Sequence, residues 1–413
     1  MVINKLSSNN NYLFVLIILI FVPKIDLISI GGYHQGIRLE DIILFIYIIN
    51  FFINYNKTLL IQPYQFKGPF IILIYLIASN FVGYYSGLNI MWAAPIRFIE
   101  YMILIIFLNN LSITGQMLKN ISIFYIIINL IVTIIQELGL VGSLTSLGYL
   151  PPEHTFNNRA LGITGGSWEL SILAPLSFFI FLKYETNKFI ISAIFLALMI
   201  IMILAEGRAN FVALILVCLV IFVKQFSLEK IIKILIILSI ILFTITIFVN
   251  NSQFINNLNI IYRTGGIWYE DIFSIFKRLE NINVYLLYDW IKDFVINNKA
   301  PSLLEVNGNL LSFAYRLNFW TQLYTEYKTN IFTQIFGTGI TRVYVESTLI
   351  RIWFTTGYVG IILVLFLSRK LPVYQFIFFL IAGFSLDIFM SFKITLFALL
   401  LNKKTDTRHE NSN

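Results

Sequence analysis

Glu346 stands where a polar stretch gives way to an apolar run. The run reads VESTLIRIWFTTGYVG from Val345 to Gly360, with Arg342 just before the glutamate and Arg351 just after it. A carboxylate at the edge of an apolar helix is costly to desolvate and can act as a proton acceptor. The alternative use is a salt bridge to Arg342 or Arg351, with no chemical role. Upstream lie YRLNFW, Tyr315 to Trp320, which contains Arg316, and FGTG, Phe336 to Gly339.

Two further arginines sit in short glycine-containing turns. Arg159 lies in NNRALG, where Gly162 permits close backbone approach. Arg208 lies in AEGRAN, a turn that opens a helix, and a helix N-terminus beside a guanidinium favours phosphate. Arg159, Arg208 and Arg316 together are the residue types that clamp phosphate oxygens in bidentate fashion. Arg97 and Glu100 are one helical turn apart and read as a structural pair.

Other chemistries are absent from the pattern. His34, His154 and His409 are scattered, and Cys218 is the only cysteine, so the spacing of a zinc site is missing and no intrachain disulfide can form. Cys218 itself reads as a small buried hydrophobe. There is no Walker loop, no GxGxxG and no serine-hydrolase elbow, so neither a cofactor nor a metal is expected.

The elements that must position these residues are apolar. The 413 residues are 58% hydrophobic and 12% charged, with a mean hydropathy of +0.82. Soluble domains carry about 25% charged residues, so the composition points to an all-α polytopic membrane protein. About twelve spanning segments are expected, with cores at 12–30, 40–55, 69–86, 92–109, 119–139, 169–183, 188–205, 209–224, 230–250, 346–368, 371–385 and 387–402. Lys393 lies inside the last of these, and one kinked or re-entrant segment is the alternative to the final pair.

Charge orients the segments. With the N-terminus inside, fourteen cations, among them Lys119, Lys183, Lys403 and Lys404, fall in inner loops, against Lys24, Arg38, Arg159 and Arg208 in the short outer ones. Both termini are then cytoplasmic, and the net charge of +8 reflects helix-flanking cations rather than a nucleic-acid partner. Arginine runs against this trend: of eleven, only Arg369 and Arg408 are inside, which suggests an outward-facing anion site.

The domains expected are a nine-helix bundle over 1–250, a large outer loop over 251–345, further helices over 346–402 and a cytoplasmic tail over 403–413. A second outer segment, Leu140 to Trp168, holds a Pro pair and glycines that exclude a continuous helix. Within the large loop, Ile267 to Phe294 has apolar residues three and four apart, the spacing of amphipathic helices. Its Trp268, Tyr269, Tyr285, Tyr288 and Trp290 suit a membrane interface or stacking on sugar rings.

At this point the chain resembles the O-antigen ligase and polymerase superfamily of envelope glycosyltransferases. The ligase signature is His, then Asn, Ser or Gln, then nine residues and GxxG; here Glu346-Ser347 precede residues 348–356 and Gly357-Tyr358-Val359-Gly360. Arg159–Gly162, the GRAN turn and Arg316–Trp320 followed by GTG at 337–339 add to the likeness, as does the layout with one large outer loop. The resemblance implies transfer of a glycan from undecaprenyl pyrophosphate to a sugar hydroxyl at the periplasmic face of a bacterial inner membrane. Glu in place of His favours a Wzy-type polymerase, acting on lipid-linked donor and acceptor repeat units, over a ligase. It also leads one to expect a chain-length regulator as partner. On this reading Glu346 is the base, Arg159, Arg208 and Arg316 clamp the pyrophosphate, and Arg342 and Arg351 assist. A lipid-linked oligosaccharide flippase or other transporter is the alternative from another class, disfavoured because polar residues gather at the outer face rather than at the midplane of symmetric halves.

Overall fold

The computed structural model describes residues 2–22, 26–29, 36–53, 63–92, 95–145, 148–150, 160–205, 207–225, 284–297, 299–300, 309–341, 343, 347–369, 371–385 and 391–403. These are mostly helical. In order they form α1 (Val2–Phe21), α2 (Leu39–Ile53), α3 (Pro63–Tyr85), α4 (Ile96–Asn110), α5 (Gly115–Glu137), α6 (Ser167–Leu182), α7 (Lys188–Leu204) and α8 (Arg208–Gln225). There follow α9 (Val284–Lys292) with a π-turn at Asp293–Asn297, α10 (Asn309–Tyr327), α11 (Ile331–Phe336), α12 (Thr348–Ser368), α13 (Val373–Ser385) and α14 (Phe392–Asn402).

The structure is not purely helical. β1 (Asp26–Ser29) pairs antiparallel with β2 (Gly36–Arg38), and β3 (Ser143–Thr145) with β4 (Gly148–Leu150). The apolar run expected to continue to residue 30 therefore leaves the helix at Phe21. Pro23 follows, biasing Val22 away from helix, and the apolar residues beyond it serve a strand. The span expected at 230–250 lies outside the described residues.

Among the described residues, two helices, Gly115–Glu137 and Thr348–Phe366, are long and apolar enough to cross a membrane, and eight shorter apolar helices accompany them. α5 has an inverted polarity. Ser122, Asn129, Thr133 and Gln136 are buried, whereas Phe124, Ile131 and Ile134 are exposed. In water the opposite arrangement is expected.

The chain forms two compact units. The first comprises Met1–Arg208, Gln322–Leu371 and Ala382–Asn413; the second comprises Ala209–Thr321 and Pro372–Ile381. In the second, Cys218 is buried as expected of a small hydrophobe, and Trp320 packs 6.4 Å from Phe294, centroid to centroid. Trp290 is buried too, while Tyr288 is exposed, so only one of these two rings is open for an interface or for stacking.

The core of the first unit is aromatic in part: Tyr47 lies edge-on to Phe107 at 4.9 Å and to Tyr12 at 5.5 Å, and Tyr125 packs on Phe397 at 4.8 Å. Lysines tie helix termini together at one end. Lys403 donates to the carbonyls of Leu108 and Leu111, and Lys183 donates to those of Leu401 and Lys403 at 3.2 and 3.1 Å. Cations satisfying the last carbonyls of helices also complement the helix dipole. Lys119 reaches Glu185 at 3.3 Å.

Glu185 accepts from the Asn187 and Thr186 N–H groups as well, at 2.8 and 2.9 Å. The Asn187 N–H, then Lys119, hold its carboxyl below the usual range. A depressed carboxyl stabilises the fold above its unfolded pKa and loses that contribution as pH falls through the folded value. In melting curves, the advantage of the native protein over Glu185→Gln should persist at neutral pH and vanish only below about 4, the ordinary glutamate range.

Candidate functional site

Residues 331–341 form a hairpin that runs along α3 and back. Asn330 donates through Nδ2 to Ser86 Oγ at 2.7 Å, just past the end of α3. It also caps α11 through a reciprocal bond pair with Thr333. The Phe336 carbonyl accepts from the Tyr75 hydroxyl at 3.1 Å. Tyr75 and Ser86 are eleven residues apart, about 16 Å of helix. The chain then returns, and the Ile340 carbonyl accepts from Met91 N at 2.8 Å.

The tip of this hairpin breaks α12. Gly357 has φ 63° and ψ −169°, so α12 is two helical pieces meeting at a kink. The carbonyls of Phe354, Thr355 and Thr356 beside the break take donors from outside α12. Thr338 N donates to the Phe354 carbonyl at 2.9 Å and Gly339 N to that of Thr355 at 3.1 Å. From α3, Ser79 Oγ donates to Thr355 O at 2.6 Å and Tyr75 to Thr356 O at 2.5 Å. Ser79 Oγ also accepts from Gly339 N at 3.0 Å, and Asn80 Oδ1 accepts from Ile340 N at 2.8 Å. The FGTG stretch and the first glycine of GYVG are thus two halves of one interlock. A Cβ on Gly357 would lie 2.5 Å from Gly337 N.

Ser347 opens α12. It is 1% exposed, and its hydroxyl accepts from Ile350 N at 3.4 Å and donates to the Gly383 carbonyl at 3.3 Å. Glu346 and Arg342 lie outside the described residues. Arg351 is half-buried on the first turn of α12. Arg316 is half-buried on α10 and belongs to the second unit.

The other two arginines have flanking backbone that the structure brings together. The Ala160 N–H, next to Arg159, donates to the Leu204 carbonyl at 3.1 Å, four residues before Arg208. Arg159 itself lies outside the described residues, and Arg208 is the first residue of α8. The loop after Arg159 is fixed by α5. Gln136 Oε1 accepts from Leu161 N at 3.0 Å and Gly162 N at 2.8 Å, and Asn129 Oδ1 accepts from Ile163 N at 3.1 Å. Gly162 has φ 57°, and a Cβ there would overlap Asn129 Oδ1. The close approach expected at this glycine is its approach to Asn129.

No family model, curated protein or solved structure matches the chain.

Several residues of this region escaped sequence reasoning. Glu169 is 3% exposed and takes hydrogen bonds from Gly165 N at 2.9 Å and from the Ser391 hydroxyl. Lys393, already placed inside the last apolar segment, is 6% exposed in α14. Arg38 is buried, 3.8 Å from Glu40, rather than displayed as an outward cation. Glu326, near Thr341 at the top of the hairpin, is pushed above the usual carboxylate range by burial. The signal for α5 was available: Ser122, Tyr125, Asn129, Thr133 and Gln136 recur at intervals of three and four, a polar stripe on an apolar helix. The pairing of Arg97 with Glu100 turns on an Arg97 side chain outside the described residues. Among the described residues no cluster of His, Cys, Asp and Glu could hold a metal ion.

Proposed function

We propose that the chain is an integral membrane glycosyltransferase that polymerises lipid-linked oligosaccharide repeat units. The donor is a growing glycan on undecaprenyl pyrophosphate, and the acceptor is a sugar hydroxyl of a new lipid-linked unit. The observation that carries the reading is the frame around Glu346. Ser347, its neighbour, caps α12, and the glycine ten residues on is the point where α12 breaks around the FGTG loop. The spacing in the motif therefore has a physical meaning. It sets one helical segment of about 15 Å between Ser347 and the interlock.

The inverted polarity of α5 supports a lipid surround, since polar groups in lipid must face protein. About twelve spans, cytoplasmic termini and a bacterial inner membrane belong to the same proposal. The lysine-tied end, where Lys119, Lys183 and Lys403 gather, is the cytoplasmic one. The loop after Arg159 and the start of α8 then open to the periplasm. The hairpin 331–341 is a re-entrant element of the outer leaflet, and its exposed Ile331, Phe332 and Phe336 face lipid.

The mechanism needs no nucleotide or metal. Glu346 takes the proton of the acceptor hydroxyl as its oxygen attacks the anomeric carbon. The bond from that carbon to the pyrophosphate oxygen breaks, and the developing charge is met by Arg159, Arg208 and Arg316, assisted by Arg342 and Arg351.

The test is the surface glycan of cells lacking the gene, resolved by length. A core bearing a single repeat with the ladder gone is the expected result. A bare core with long lipid-linked polymer would mean a ligase. Single lipid-linked units trapped on the inner leaflet would mean a flippase.

A further inference from the structure

We infer that Gly207 and Ser171 are positioning residues: their contact seats the turn that leads into Arg208 on α6 and holds it at a fixed spacing from the loop that follows Arg159. Three contacts close a ring. The loop meets α6 where Gly165 N donates to Glu169 Oε2 at 2.9 Å. The loop meets the turn where Ala160 N donates to the Leu204 carbonyl at 3.1 Å. The turn meets α6 at Gly207 and Ser171. A Cβ on Gly207 would overlap Ser171 Cβ and lie 2.6 Å from its Oγ, so the turn and α6 approach as only a glycine permits.

The members of the ring are buried and tied from behind. Ser171 is fully buried, and its hydroxyl donates back to the Trp168 carbonyl at 2.9 Å. Ala160 and Ala205 are buried as well, and Ala205 N donates to the Ile201 carbonyl at 2.9 Å, which closes α7. Arg159 precedes Ala160 and Arg208 follows Gly207, so the chain itself passes the spacing of the ring on to the two arginines. Gly207 lies outside the left-handed region, and the objection to a side chain there is steric. The three atoms nearest to an added Cβ all belong to Ser171, and the third, its Cα, is 3.7 Å away, an ordinary contact. Removing the Ser171 side chain therefore makes room for a methyl group at position 207.

The ring stands without the proposed reaction; the consequence for glycan transfer rests on that reading. Two measurements keep them apart. In the first, Leu161, buried next to Ala160, is changed to Cys in a Cys218→Ala background. Alkylation of this thiol by a maleimide is followed by mass on purified protein in detergent. Gly207→Ala should raise the rate by about five-fold or more as the ring opens. Adding Ser171→Gly should return it to within about two-fold of Ser171→Gly alone, since the two sites are in direct contact. A rate unmoved by Gly207→Ala, or one that Ser171→Gly does not restore, would overturn the inference. If Gly207→Ala fails to fold, abundance is read instead: recovery in the double variant supports the contact, and no recovery overturns it.

The second measurement is polymer per folded molecule in cells, with Leu161 and Cys218 unchanged. Misplacing Arg208 should lower it about ten-fold or more in Gly207→Ala, and the double variant should restore it. A merely structural contact would change abundance and leave the output per molecule alone. Arg208→Ala separates the remaining cases. Chain growth lost there, with normal output per molecule in Gly207→Ala, would overturn the positioning role. Normal chain growth in Arg208→Ala would instead remove Arg208 from the glycan reaction, and alkylation alone would then decide whether Gly207 and Ser171 hold the turn.

Discussion

Glu346→Gln is expected to leave the protein in the membrane at normal abundance while chain growth falls by at least about 100-fold, the ordinary worth of a positioned general base. The exchange keeps shape and removes the proton acceptor. A salt-bridge role predicts otherwise. Loss of a partly exposed pair costs about 1 kcal/mol or less, and glycan length would hardly change. Ser347→Ala is the useful companion. It removes the cap on α12, worth about 1 kcal/mol, without touching the carboxylate. Abundance should fall modestly there with the ladder retained. A ladder of normal length from Glu346→Gln would end the assignment.

The second large effect is expected at Gly337. Its φ of 91° and ψ of 166° lie in a region open almost only to glycine, and a Cβ would overlap the Thr355 carbonyl oxygen. That carbonyl is already bonded by Ser79 and Gly339, so it cannot easily shift. Backbone strain of about 1–3 kcal/mol and overpacking of about 1–3 kcal/mol both apply. Gly337→Ala should therefore cost roughly 2–6 kcal/mol and leave little folded protein, read as abundance and as melting temperature in detergent. Gly87→Ala is the control. It shares a positive φ, 82°, but nothing lies within 4 Å of the added atom. It should cost only about 1–2 kcal/mol. Equal losses at the two sites would mean that the interlock is looser than its hydrogen bonds imply.

Much of the helical layout was legible because each apolar run ends at a polar or glycine-containing turn. α6, α7 and α8 begin and end within about two residues of the expected segments, the usual uncertainty of helix ends. The strand after α1 was not legible, because a short apolar stretch beyond Pro23 has no periodicity of its own. The hairpin 331–341 was hidden for a different reason. Its six-residue helix is too short to register as an apolar segment, and its depth is set by partners on α3, some 250 residues earlier. Of the candidate site, the glycines were readable because backbone geometry demands them. The buried Glu169 was not, since it looks like an ordinary charge near a helix end until its bond to Ser391 brings α6 and α14 together.

The broken helix also bears on how the chain is built. α3 leaves the ribosome long before the hairpin, and the hairpin leaves before α12. The carbonyls of Phe354 and Thr355 find donors in residues already made, while the Thr338 N–H must wait for an acceptor not yet made and that of Gly339 has Ser79 on α3 in the meantime. A nascent chain stopped at residue 345 would hold α3 and the FGTG loop without the helix that fits around them. Assembly of this corner is therefore a late event of biogenesis, completed only when the last helices arrive.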